Sequence, residues 1–160
     1  MTRTTMATIF LTIVAGVGMA EVPSAEDKKT ALAQEWTHFT GVWEIVAVKP
    51  EGATKNATRL VFKKDGTYAA QNNKGEELWA GTFEIDPTAK PKVWDHRSHD
   101  AKKKGDDVLG IYERDGEKLK FACVVGQWKG TKWVGKPRPK SIDLKEADVL
   151  LELKRIAPAK

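Results

Sequence analysis

The chain has 160 residues, 41% of them hydrophobic and 31% charged, with a formal net charge of +5. That length suits one domain with a real core and leaves little room for two. A mean hydropathy of −0.47, with one long apolar run placed at the extreme N-terminus, excludes a multi-spanning membrane protein. Six Trp, five Phe and many Val, Ile and Leu argue equally against a disordered chain. Cys123 is the single cysteine, which excludes an internal disulfide framework and a Cys-based zinc site.

Residues 1–20, MTRTTMATIFLTIVAGVGMA, carry Arg3 as their only charge, an apolar stretch from Ala7 to Val17, and small residues Gly18 and Ala20 before a cleavage point. They read as a signal peptide, and the expected compartment is secreted or periplasmic. The apolar stretch is well short of the roughly 20 residues of a spanning helix. An uncleaved N-terminal anchor is the competing reading, although Glu21 and Pro23 suit the far side of a cut. Removing the segment lowers the net charge from +5 to +4, a mild excess.

Residues 21–35 form a polar lead-in, and DKKTALAQEW is compatible with a short helix. After Phe39 the hydrophobic period changes from near 3.6 to near 2, and the barrel domain is placed at residues 36–157. The runs GVWEIVAV, RLVFK, TYAAQ, ELWAGTFEI, VWDH, DVLGIYER, KLKFACVV and ADVLLELKRI predict about eight strands. Asp65-Gly66 and Asp115-Gly116 are strong hairpin signals. No interval holds a helical crossover, so an all-β, antiparallel, up-and-down barrel is expected. Closure removes open sheet edges, so a monomer is expected as well.

Alternation assigns faces. In the first strand Glu44 points to water, which places Trp43, Ile45 and Ala47 inward; in the last, Leu151, Leu153 and Arg155 share the inward parity. An unpaired buried guanidinium costs several kcal/mol, so Arg155 needs a partner, and the Trp43 indole is the obvious one. In GTFEI, Glu84 is outward if Phe83 and Ile85 point in.

Gly41-Val42-Trp43 with a late Arg155 resembles the lipocalin arrangement, in which an arginine covers a G-x-W tryptophan at the closed end of the barrel. The order GVWEIVAV, RLVFKKDGTY, GTFEIDPTAKPKVWD, LGIYERDGEKLKFAC and LLELKRI is similar to an uncharacterised family of small secreted lipocalin-like proteins of planctomycetes, over roughly residues 36–156. The chain departs from that pattern at Trp94-Asp95 and in the charged stretch HRSHDAKKKGDD. The resemblance implies a barrel that holds a small hydrophobic molecule. Inward positions Phe62, Trp79, Phe83, Ile111, Phe121 and Leu151 would wall the cavity, with Trp43 and Arg155 closing one end; a barrel filled by these same side chains is the alternative.

Other constellations offer different chemistry. Asp95, His96, His99 and Asp100 are possible metal ligands, and a metal-dependent hydrolase is the reading they would support. On an extended segment Asp95, Arg97 and His99 face away from His96 and Asp100, so no metal is expected. The stretch 127–140 interleaves Trp128, Lys129, Lys132, Trp133, Lys136 and Arg138 without an acid. Such a pattern suits an anionic polysaccharide or other surface polymer, or else a hairpin loop whose tryptophans cover the barrel mouth. Nucleic acid is not expected of an exported chain with modest charge. Cys123 sits in LKFACVV and reads as an inert buried thiol. No Ser lies in a nucleophile elbow, no Gly-rich phosphate loop is present, and neither an enzyme nor a cofactor is expected. Asn56-Ala57-Thr58 matches a glycosylation acceptor.

Overall fold

The computed structural model describes residues 24–99 and 106–157. The candidate signal segment and Asp100 lie outside them. One helix, α1 (Ala25–Phe39), precedes nine strands: β1 (Gly41–Lys49), β2 (Arg59–Phe62), β3 (Thr67–Gln71), β4 (Glu77–Asp86), β5 (Val93–Ser98), β6 (Asp106–Asp115), β7 (Lys118–Lys129), β8 (Lys132–Val134) and β9 (Val149–Arg155). The sheet runs β6-β5-β4-β3-β2-β1-β9-β7-β8, and an additional β6–β7 pairing closes it. Every pairing is antiparallel, so eight strands form an up-and-down barrel and β8 extends β7 as a short hairpin arm.

Local chemistry sets the boundaries. Ser24 caps α1: its Oγ accepts from the Asp27 N–H (3.1 Å), and Asp27 Oδ2 accepts from the Ser24 N–H (3.1 Å). The helix ends at Phe39, where the hydrophobic period changes, and so runs across the domain bound placed between residues 35 and 36; its last turn belongs to the barrel. Gly116 (φ 54°) holds the first central position of the two-residue loop between β6 and β7, a conformation that disfavours other residues.

The expected parity holds on β9, where Leu151 and Leu153 are buried and Glu152 and Lys154 are exposed. On β1 it needs a correction. The register against β9 shifts between Ile45 and Ala47, so Val46 bulges out at 52% exposure, Ala47 turns to solvent and Val48 takes the inward place. A bulge adds one residue to one strand and inverts every face beyond it.

Phe39, fully buried, drops from the end of α1 into the barrel. Its ring meets Tyr112 (centroids 4.9 Å), Phe62 (5.5 Å) and Phe121 (6.1 Å) edge-on and stacks on Phe83 (6.0 Å). One turn earlier, Trp36 stacks on Phe83 at 4.9 Å. Aromatic pairs of this kind contribute about 0.5–1.5 kcal/mol each beyond their burial. Glu35, also buried, receives Arg114 Nε (3.2 Å) and lies 3.6 Å from Lys92 Nζ. Burial alone would raise the pKa of Glu35, but the Arg114 hydrogen bonds and the Lys92 charge outweigh it and hold the carboxyl below its usual range.

The end of α1 is fastened by the two residues that the sequence pairs. Trp43 Nε1 donates to Phe39 O (2.8 Å), and Arg155 donates to the carbonyls of His38 and of Thr40 (2.9 Å for Thr40). The Arg155 guanidinium lies 4.5 Å from the Trp43 ring centroid, and its Nε is 2.7 Å from Glu117 Oε2. Gly41 makes room for it: at φ 136° a side chain is strained, and a Cβ there would sit 2.7 Å from Arg155 Nη1. Gly41→Ala should therefore destabilise the protein by about 3 kcal/mol, combining backbone strain with overpacking. Gly52→Ala, at φ 80° with open space around it, should cost about 1 kcal/mol. Urea midpoints at unchanged slope measure both.

Candidate functional site

The ring contacts ascend the barrel axis from Phe39. Above the layer of Phe62, Phe83, Tyr112 and Phe121 come Trp94, 4.3 Å from Phe121, and Tyr68, 6.3 Å from Phe62. His96 follows, stacked on Trp94 at 4.4 Å and hydrogen-bonded through Nδ1 to the Tyr68 hydroxyl (3.0 Å). Gly81 gives the Tyr68 ring its space, since a Cβ there would meet Tyr68 Cε1 at 2.8 Å. Beyond this pair the inward side chains become smaller: Ala57, Ala70 and Cys123 are buried, while Val48, Trp79 and Val149 pack against the core yet stay partly exposed.

Burial governs the titratable groups of this half. It pushes the His96 imidazole down to about 4 against a weaker opposing effect of Asp107, so the ring is neutral at pH 7. The Tyr68 hydroxyl is raised for the same reason, with the Trp79 indole interacting with it. Burial also pushes the Cys123 thiol up to about 12, and its Sγ lies 3.7 Å from Val149 O. Burial thus keeps the thiol protonated at neutral pH. The Trp94 Nε1 donor is buried and makes no hydrogen bond among the described residues.

The six expected wall residues fall into different places. Phe62, Phe83 and Phe121 pack against the Phe39 plug and fill the near half. Leu151 is buried in the same core, and Trp79 stands at the far end. Ile111 is on the opposite face. It packs with Ala122, Ala147, Ile142 and Leu150 outside the barrel, because Val108 and Tyr112 carry the inward parity of β6. An apolar residue out of phase signals a strand covered on both faces.

The cover is the segment between β8 and β9, which runs along the outer wall. Arg138 donates to Asp95 through both guanidinium nitrogens (Nη2 to Oδ2 2.8 Å) and to Gly110 O (2.7 Å). Lys136 Nζ is 2.8 Å from Asp148 Oδ1. Two of the four cations considered for a polymer site are thus neutralised within the chain, leaving Lys129 and Lys132 exposed and opposite each other on the β7–β8 arm. The tryptophans do not cap the barrel mouth. Trp128 and Trp133 pair across the arm at 5.4 Å, Trp133 Nε1 donates to Lys136 O (2.7 Å), and Trp128, 43% exposed, borders a groove on the outer wall.

That half-open groove, of about 330 Å³, is lined by outward residues of β4, β5 and β6 and by the inward-facing Phe83 and His96, together with Arg138 and Trp128. Among them Arg97 is ion-paired with Asp107 and Arg138 with Asp95. Pairing with Asp107 raises the Arg97 pKa further. Asp95 and Arg97 face outward and His96 inward, as the alternation requires, and the described residues hold no group of three His, Cys, Asp or Glu able to bind a metal ion. Nothing in the sequence pattern joined Glu84, Asp95, Arg97 and Asp107 to Trp128, because that contact depends on where the arm folds. No described helix is long and apolar enough to cross a membrane.

In comparison with known proteins the chain matches no family model, no curated protein and no solved structure.

His96 gives the barrel an acid sensitivity of defined sign. Its imidazole binds protons less readily when folded (about 4) than at its ordinary 6.5, so stability is full above pH 6.5 and declines as the pH falls toward 4. Because the ring is only partly buried, the loss should be on the order of 1–2 kcal/mol across that window. His96→Gln, which keeps an acceptor for Tyr68 without titrating, should flatten the profile between those limits, as read by thermal melts over pH.

Proposed function

We propose that the protein is a secreted, lipocalin-like, non-enzymatic binding module that takes a small hydrophobic molecule into the half of its barrel remote from α1. The observation that carries this reading is the gradient along the axis. One half is packed with aromatic rings, whereas the other ends in inward-facing Val48, Trp79 and Val149 that remain partly exposed above the buried Tyr68 and its part-buried partner His96. Apolar walls with a few placed polar groups are the usual composition of small-molecule sites. The wall is accordingly Trp79, Val48, Val149 and Ala70, not the phenylalanines around Phe39. The lipocalin-like resemblance and the signal segment supply the expectation of export.

Native mass spectrometry of the protein from its own host should find a retained small molecule, and the purified protein should take up a neutral naphthylamine dye with enhanced emission. Val149→Phe, which narrows the far end, should weaken dye binding by about tenfold, equivalent to about 1.4 kcal/mol. Trp128→Ala, on the outer wall, should leave it unchanged. A folded wild-type protein that neither retains a molecule nor takes up the dye would overturn the reading.

A further inference from the structure

The outer groove is distinct from the far half of the barrel that Val48, Trp79 and Val149 line, and we propose that it binds a neutral carbohydrate. On its floor Glu84 of β4 lies directly opposite Asp95 of β5, a like-charged pair that a sheet ordinarily avoids. Arg138 compensates by gripping Asp95 with both guanidinium nitrogens, and Asp95 Oδ1 also accepts from the Gly110 N–H (3.1 Å). Next to them, Arg97 is held by Asp107, whose Oδ1 accepts from the Val108 N–H (3.2 Å). Carboxylates and guanidiniums are thus fixed side by side in one orientation, with oxygen lone pairs and N–H groups to spare.

Planar groups at this spacing suit the adjacent hydroxyls of a sugar ring, each hydroxyl donating to a carboxylate and accepting from a guanidinium. The remaining requirement is a flat apolar face for the C–H side of the ring. Trp128 supplies it: its indole is exposed at the border of the same groove and braced edge-on by Trp133, which Lys136 O anchors in turn. Such a platform loses little conformational freedom on binding.

Charge selects among polymers. Glu84, Asp95 and Asp107 against Arg97 and Arg138 leave the groove one negative charge in excess, with His96 neutral. A polyanion would meet no net attraction there, and the exposed lysines of the arm lie beyond the paired tryptophans at its tip. A neutral glycan meets neither attraction nor repulsion and is held by hydrogen bonds and stacking.

The test is calorimetric titration of the full-length protein with soluble gluco-, manno-, xylo- and N-acetylglucosamine oligosaccharides, and with dextran sulfate as the anionic probe. At least one neutral oligosaccharide should bind, with an affinity that changes less than about twofold from about 50 mM to 0.5 M NaCl. Trp128→Ala and Glu84→Gln, both at exposed positions, should each weaken it by about tenfold. Val149→Phe should have no effect, which separates this site from the barrel. Failure of every neutral probe would overturn the proposal, as would binding of dextran sulfate alone with steep salt dependence, or binding that survives both substitutions.

Discussion

The fold depends on how the last turn of α1 is received by the barrel. A helix ends with carbonyls that have no partner of their own, and here three consecutive ones, of His38, Phe39 and Thr40, are taken by Arg155, Trp43 and Arg155 respectively. The cation also stands where the helix dipole favours it. Because the receiving residues sit on β1 and β9, which pair with Trp43 directly opposite Arg155, the contact that joins the first and last strands is also the contact that docks the helix. Phe39 follows as a consequence. Fixed between two held carbonyls, it has no direction open to it except inward, and its ring becomes the hub of the near-half core.

Filling one half of an eight-stranded barrel from outside the sheet divides labour along its axis. Eight strands enclose only enough space for side chains or one small ligand, so a plug at one end decides where any ligand can go. The near half carries the large rings. Toward the far half the inward positions shrink to Ala70 and Cys123, and polar groups appear in the form of Tyr68 and His96. A neutral histidine stacked on tryptophan is a polar group kept at the expense of acid stability, a cost that a purely structural core could have avoided with phenylalanine.

Much of the barrel was legible because its signals are local. Eight alternating runs, two Asp-Gly turns and the pairing of Trp43 with Arg155 all follow from period, turn chemistry and the need of an inward-facing cation for a partner. What escaped is non-local. The bulge at Val46 leaves no mark in a run of apolar residues, so simple alternation puts Ala47 on the inner face, whereas the bulge turns it to solvent. Ile111 resembles any inward isoleucine until the segment before β9 is known to lie over it. The basic stretch reads as open positive charge, yet Lys136 and Arg138 meet Asp148 and Asp95, one of them 43 residues away in sequence. Composition counts charges, whereas only the fold pairs them.

The β7–β8 arm shows how the covering of one wall produces the recess beside it. Up-and-down closure leaves no free edge, but β7 is longer than its barrel neighbours require, and its excess pairs with β8. The new edge is three residues long and bears Lys132, features that discourage strand addition by another chain. From there the chain must return to β9, and it does so over the outer faces of β6 and β7, where Ile142 and Ala147 cover Ile111 and Ala122. Arg138 lies on that path and reaches across to β5. The wall is therefore covered over β6 and β7 and bare over β4 and β5, and Trp128 marks the step between them. A recess at such a step is bounded by the backbone path on one side and by the sheet on the other, and the Arg138–Asp95 and Arg97–Asp107 pairs tie its polar floor together.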